Sequence, residues 1–181
     1  MISTLITFIV QLFSSRKVSR HYSKVFRFMR LGNQRTPSQP SNLTDEERVL
    51  RARLILEETF ETVQKGLGLD IVLEPSSDAN SAIQYSQIYV KIARPFDIIE
   101  TVDGCCDISV VNTGTLVAVG IDDLPVLELV DDNNLAKFGP GSSIDQFGKI
   151  VKPPNHPPPD IVKELRRQGY RSLNTNTPHN S

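Results

Sequence analysis

The chain has 181 residues and a formal net charge of −1, long enough for one ordinary domain with appendages to bury a core without disulfide or metal staples. Its only two cysteines, Cys105 and Cys106, are adjacent, which counts against a mutual bridge or a four-ligand zinc site and reads as a pair of core thiols in a reducing compartment. The near-zero charge hides an asymmetry, because residues 1–44 carry Arg16, Lys17, Arg20, Lys24, Arg27, Arg30 and Arg35 and no acid; the acidic remainder argues against nucleic-acid backbone binding as the main task.

Residues 2–13 form an apolar run too short to span a bilayer as a helix and without a charged segment before it, so no stable membrane span is expected. With Ser3, Ser14, Ser15, Ser19 and Ser23 among basic residues, the start reads either as an extension of a cytoplasmic protein or as an amphipathic organelle-targeting segment. Residues 1–21 are assigned to this extension, 22–170 to the domain and 171–181 to a disordered tail.

Residues 32–43, rich in Pro, Ser, Asn and Gln, predict a linker, with the folded core beginning after it. Thr44 followed by Asp45, Glu46 and Glu47 has the form of a capping box, and Leu50, Leu54, Ile55 and Val63 recur at helical spacing, which predicts a helix over 45–65 stopped by Gly66 or Gly68. The β-branched runs 69–73 and 88–92 around the turn residues 75–78 suit a small hairpin or an irregular insertion. Residues 96–120 are apolar nearly all round; their length favours a helix in the middle of a bundle, ended by Gly120. A shorter helix is expected over 124–136 with Pro125 in its first turn. Pro153, Pro154 and Pro157 to Pro159 then exclude regular helix or central strand, so an extended Pro-rich segment precedes a last short helix over 159–168. The fold class that follows is an all-α, antiparallel helical bundle.

Two groups of acids carry the candidate chemistry. Glu57, Glu58 and Glu61 fall on one helix at spacings that let Glu58 and Glu61, or Glu57 and Glu61, share a face. Asp103 and Asp107 lie one turn apart in the most apolar segment of the chain, where carboxylates need a partner. Each group has a plainer reading, a solvated acidic stripe for the first and a helix N-cap at Asp103 for the second. Packed together, the two helices would instead offer two pairs of oxygen ligands, the donor type that magnesium selects.

These residues carry a resemblance. Glu58-Thr59-Phe60-Glu61 followed by Asp103-Gly104-Cys105-Cys106-Asp107 is similar to the ExxE and (E/D)xxxD arrangement of MazG-like and phosphoribosyl-ATP-pyrophosphohydrolase-like enzymes. Arg51 to Glu61, Gly114-Thr115 with Gly120-Ile121-Asp122, Asn134 with Lys137, and Gly148-Lys149, Lys152 and Pro159-Asp160-Ile161 resemble further stretches of that family, from about Val25 to Leu165. The resemblance implies a carboxylate site of Glu58, Glu61, Asp103 and Asp107 for magnesium, or manganese in its place. It also implies cleavage of a nucleoside triphosphate between its α and β phosphates, and a homodimer or homotetramer. Glu57 or Glu58 would accept the proton of the attacking water, while Asn134, Lys137, Lys149 and Lys152 would hold phosphate oxygens. Many relatives carry Glu directly after the first acid of the second motif, where this chain has Gly104. The other readings are a non-catalytic nucleotide- or metal-binding scaffold, and an adaptor that binds membranes or nucleic acid through its basic first 35 residues.

Overall fold

Capping, helical spacing and β-branched runs divide the chain much as its sequence predicts, and a computed structural model describes residues 16–74, 81–146 and 148–171. Helices α1 (Arg20–Leu31), α2 (Asp45–Glu61), α3 (Ile98–Val119), α4 (Asp123–Leu135) and α5 (Ile161–Arg167) dominate the described residues. Two small antiparallel pairs accompany them, β1 (Leu69–Leu73) with β2 (Ile88–Ile92), and β3 (Ser143–Ile144) with β4 (Ile150–Val151). The fold is therefore largely helical. The apolar run 2–13, the expected turn 75–78 and the tail beyond residue 171 lie outside the described residues. Two compact units share the chain: Leu43–Thr115, and Met1–Asn42 with Leu116–Ser181.

In the unit of residues 43–115, Thr44 caps α2 by the expected box: its Oγ1 accepts from the Glu47 amide at 3.2 Å, and the Glu47 carboxylate accepts from the Thr44 amide at 2.8 Å. The predicted helix does not stay α to its end, since Thr62–Gly66 widens into a single π turn. The hairpin has the expected bounds, with Leu69 opposite Ile92 and Leu73 opposite Ile88. Asp97 starts α3, its carboxylate accepting from the Ile99 and Glu100 amides at 2.9 and 3.2 Å. That places Asp103 within the helix and removes its reading as an N-cap.

Helix α3 meets the π turn through glycine. A Cβ on Gly66 would stand 2.7 Å from both the Cα and N of Thr101, and one on Gly104 would stand 2.2 Å from the Thr62 Oγ1. Backbones can come this close only where no side chain intervenes. The expectation of a helix buried in a bundle is corrected here: Ile98, Ile99 and Val102 are exposed at 64, 76 and 58%. Cys105 and Cys106 are exposed as well, against their reading as core thiols. The helix is long and apolar enough to cross a membrane by length and composition, yet Glu100, Asp103 and Asp107 along it are residues that a lipid-facing helix avoids.

The other unit holds every buried hydrophobic side chain among the described residues: Tyr22, Val25 and Met29 of α1, Val117 and Ala118 at the end of α3, Ile121, and Val126 of α4. Helix α1 and its buried residues precede the 32–43 loop, so the core does not begin after that loop as expected. Tyr22, Val25 and Met29 follow i, i+3, i+7 spacing, the signal that the basic residues between them obscure. The 32–43 loop has no regular structure but is pinned: the Ser41 amide donates to the Val119 carbonyl at 3.0 Å, and Arg35 donates to the Ala118 carbonyl at 3.1 Å and the Ser41 hydroxyl at 2.6 Å. The Pro-rich segment is irregular as expected. Asn133 of α4 holds it, donating to the Pro157 carbonyl at 2.9 Å and lying 3.2 Å from His156 Nε2. The short β3–β4 pair was not legible in the sequence, because two-residue strands carry no period.

The glycine contacts predict that Gly66→Ala costs about 1–3 kcal/mol of unfolding free energy, as overpacking against fixed backbone does. Gly139→Ala, whose Cβ would come no nearer than 3.8 Å to its closest neighbour, should leave stability within about 0.5 kcal/mol. Urea denaturation of both variants checks the difference, and equal midpoints would refute the role given to the crossing.

Candidate functional site

The crossing of α3 with the π turn sets the surroundings of the acids. Thr62 lies one turn after Glu58 and donates its hydroxyl to the Glu58 carbonyl at 2.7 Å. Gly104, against which Thr62 packs, stands between Asp103 and Asp107 in sequence. Packing of the Thr62 side chain against Gly104 therefore brings the two acidic motifs to the same level of unit 43–115. A side chain at position 104 would collide with Thr62.

Electrostatics show the same convergence. Burial, followed by the like charges of Asp107, Glu61, Glu57 and Asp103, holds the half-buried Glu58 carboxyl above the ordinary glutamate value of 4.5. The four other acids selected from the sequence thus all act on the Glu58 carboxyl. Their setting is corrected, however: Asp103 and Asp107 are exposed, as are Glu57 and Glu61, so neither aspartate needs a partner merely to avoid an apolar interior. Lys65, one turn beyond Glu61, donates to its carboxylate at 2.5 Å. This hydrogen bond, then the charges of Glu61, Glu100 and Glu58, raises the lysine pKa.

Among the described residues, no three Asp, Glu, His or Cys side chains are grouped closely enough to hold a metal ion. The donor set nevertheless has the chemistry of a hard-cation site, consisting of carboxylates alone and drawn from two helices. Lys65 meets part of the demand for positive charge that the repulsion at Glu58 expresses.

The residues selected for phosphate lie in the other unit. Asn134 and Lys137, near the end of α4, form a pair, the Lys137 ammonium donating to the Asn134 side-chain carbonyl at 2.6 Å. Lys149 and Lys152 flank β4, and the Lys149 amide donates to the Asp145 carboxylate at 2.9 Å. The segment Gly120-Ile121-Asp122 has structural work in the same unit. Gly120 ends α3 at φ 76°, Ile121 is buried, and Asp122 pairs with Arg16 at 2.5 Å and accepts from the Lys17 amide at 2.9 Å.

Sequence reasoning missed this last group. Arg16 also donates to the Tyr22 hydroxyl at 3.0 Å, and the 2%-exposed Asp123 accepts from the Ser19 amide at 2.8 Å. The available signal was the doublet Asp122-Asp123 at a helix start, with an acid-free basic segment elsewhere in the chain. The chain matches no protein-family model and no curated protein.

Because the Glu58 pKa in the fold lies above its unfolded value, its protonated form favours folding. That contribution is complete below about pH 4.5 and is lost as pH rises through the folded-state value. Glu58→Gln should accordingly be more resistant to urea than the wild type at pH 7, with the gap closing at pH 4. A gap independent of pH would show that the surrounding carboxylates do not act on Glu58.

Proposed function

We propose that this chain is a magnesium-dependent nucleotide pyrophosphohydrolase, cutting a nucleoside triphosphate between its α and β phosphates to give a monophosphate and pyrophosphate. Manganese would serve in place of magnesium. The observation that carries the reading is the convergence of Asp107, Glu61, Glu57 and Asp103 on Glu58, across two helices in contact at Thr62 and Gly104. Their similarity to the ExxE and (E/D)xxxD arrangement supplies the reaction.

Glu58, Glu61, Asp103 and Asp107 would hold the metal, which neutralises and orients phosphate oxygens when bound. Glu57 or Glu58 would accept a proton from the attacking water. Lys65, already on Glu61, would exchange that partner as the metal enters. Asn134 and Lys137 supply an amide and an ammonium suited to phosphate oxygens, and Lys149 and Lys152 add two further cations.

Self-association belongs to the same proposal. The unit of residues 43–115 contains no buried hydrophobic side chain among its described residues, while Ile92 and Ile99 are exposed at 81 and 76%. Apolar surface on this scale is stabilised when a second copy covers it. A homodimer or homotetramer is the form proposed, acting on cytoplasmic nucleotides.

A second reading has its own observation: no three-ligand group is closed among the described residues. On that reading the chain binds a nucleotide or a metal without turnover.

Pyrophosphate release from a panel of nucleoside and deoxynucleoside triphosphates with magnesium decides between them. The wild type should yield equal amounts of monophosphate and pyrophosphate, and folded Glu61→Gln and Asp107→Asn variants should each lose more than about 100-fold in rate, beyond the cost of losing an outer-shell partner. No turnover with any triphosphate, but intact magnesium-dependent binding, would establish the scaffold instead.

Light scattering of the full chain should give a mass of at least two 20.2 kDa copies. A monomer at working concentration would overturn the assembly.

A further inference from the structure

A cationic cavity lies wholly within the unit that contains both termini, among residues to which the carboxylate chemistry gives no task. It encloses about 410 Å³ between the start of α1, the 36–40 loop and the end of α5, and Arg16, Lys17, Phe26, Arg30, Asp122 and Arg167 are among its lining residues. Among the described residues Asp122 is the only acid on the wall. Arg16 and the Lys17 amide already engage it, and Arg167 is matched by Glu164 through two bonds of 2.7 and 2.6 Å. Among the described residues neither Lys17 nor Arg30 forms an ion pair. Among the described residues the wall thus carries four cations, Arg16, Lys17, Arg30 and Arg167, against one acid, with Glu164 behind Arg167 acting at longer range on Lys17.

The cavity is also built with one apolar side and a fixed rim. The Arg30 guanidinium lies 6.0 Å from the centroid of the Phe26 ring, and Pro37 and Pro40 join that ring on the wall. The loop carrying Ser38 and Gln39 is tied to the end of α3 by the bonds of Ser41 and Arg35. At Gly120 a Cβ would stand 2.6 Å from the Gln39 carbonyl oxygen, which shows how tightly this loop is laid down. A preformed pocket needs little reorganisation to receive a ligand.

Guanidinium and ammonium groups select phosphate oxygens, and an aromatic ring beside an arginine offers a flat ligand a stacking surface. A lone phosphate would leave most of 410 Å³ empty, whereas a nucleoside monophosphate matches both the volume and the division into a charged and an apolar side. We infer that this cavity is a binding site for a phosphorylated small molecule of mononucleotide size, held by Lys17 and Arg30 with its flat part against Phe26. The site works without a metal and does not depend on the carboxylates of the other unit.

Isothermal titration of the full chain with AMP, in low salt and excess EDTA, tests the inference without involving turnover. One AMP should bind per chain. The Lys17→Gln/Arg30→Gln double variant should weaken binding at least tenfold, and Ser38→Glu, which adds a negative charge at an exposed wall position, should weaken it comparably. Glu58→Gln/Asp107→Asn should leave it unchanged, and adenosine should not bind. Absence of AMP binding, affinity unaltered in the two wall variants, or inorganic phosphate binding as tightly as AMP would each overturn the assignment. Unaltered thermal melting of the variants separates a changed site from a lost fold.

Discussion

The unit of residues 43–115 depends on an approach of two backbone segments that only glycine permits. At Gly66 the π turn meets the backbone of Thr101, and at Gly104 helix α3 meets Thr62. Either contact would be lost to a methyl group, and both fall within about a turn of the acidic motifs. The same contact that joins the segments thus decides which carboxylates share one environment. Repulsion among them costs stability at neutral pH, and Lys65 offsets part of it. A cluster that is unfavourable by itself is the arrangement expected where a fold keeps charges for chemistry.

The other unit is organised by a different balance. Asp122 and Asp123, at the start of α4, gather Arg16, the Lys17 amide and the Ser19 amide. Ser19 then caps α1 by accepting from the Tyr22 amide at 2.9 Å, and Tyr22, Val25 and Met29 enter the core. Burial raises the Tyr22 pKa, with the Arg16 guanidinium opposing it. Gln168 completes the arrangement from α5, accepting from the Asp122 amide at 2.7 Å and donating to its carbonyl at 3.2 Å. Arg16 and Arg35 of the basic first segment are therefore structural partners. Others, Lys17 and Arg30 among them, line the cavity.

Local sequence was a good guide wherever a short-range interaction decides the outcome. The Thr44 capping box, the bounds of the first hairpin, the end of α3 at Gly120 and the irregular course through Pro153 to Pro159 all follow from backbone preferences and neighbouring side chains. Helical spacing selects the acids Glu57, Glu58, Glu61, Asp103 and Asp107, and the other four all act on Glu58. Burial was the weaker inference. An all-round apolar pattern in 96–120 predicts an interior helix, but apolarity states only a preference for leaving water, and Ile98, Ile99 and Val102 remain exposed among the described residues.

By itself the sequence determined which segments become helix, strand or loop, because caps, periodicity, proline and glycine act over a few residues. It also determined which side chains could supply oxygen ligands or positive charge. Only the tertiary structure decided that Thr62 fills the space beside Gly104 and that Arg16 meets Asp122 from 106 positions away. Such pairings depend on long-range contacts whose partners leave no periodic mark in either segment. The basic start of the chain shows the difference: its charge was plain from composition, but its burial of Tyr22 and Met29 required the distant α3 and α4 residues against which they share a core.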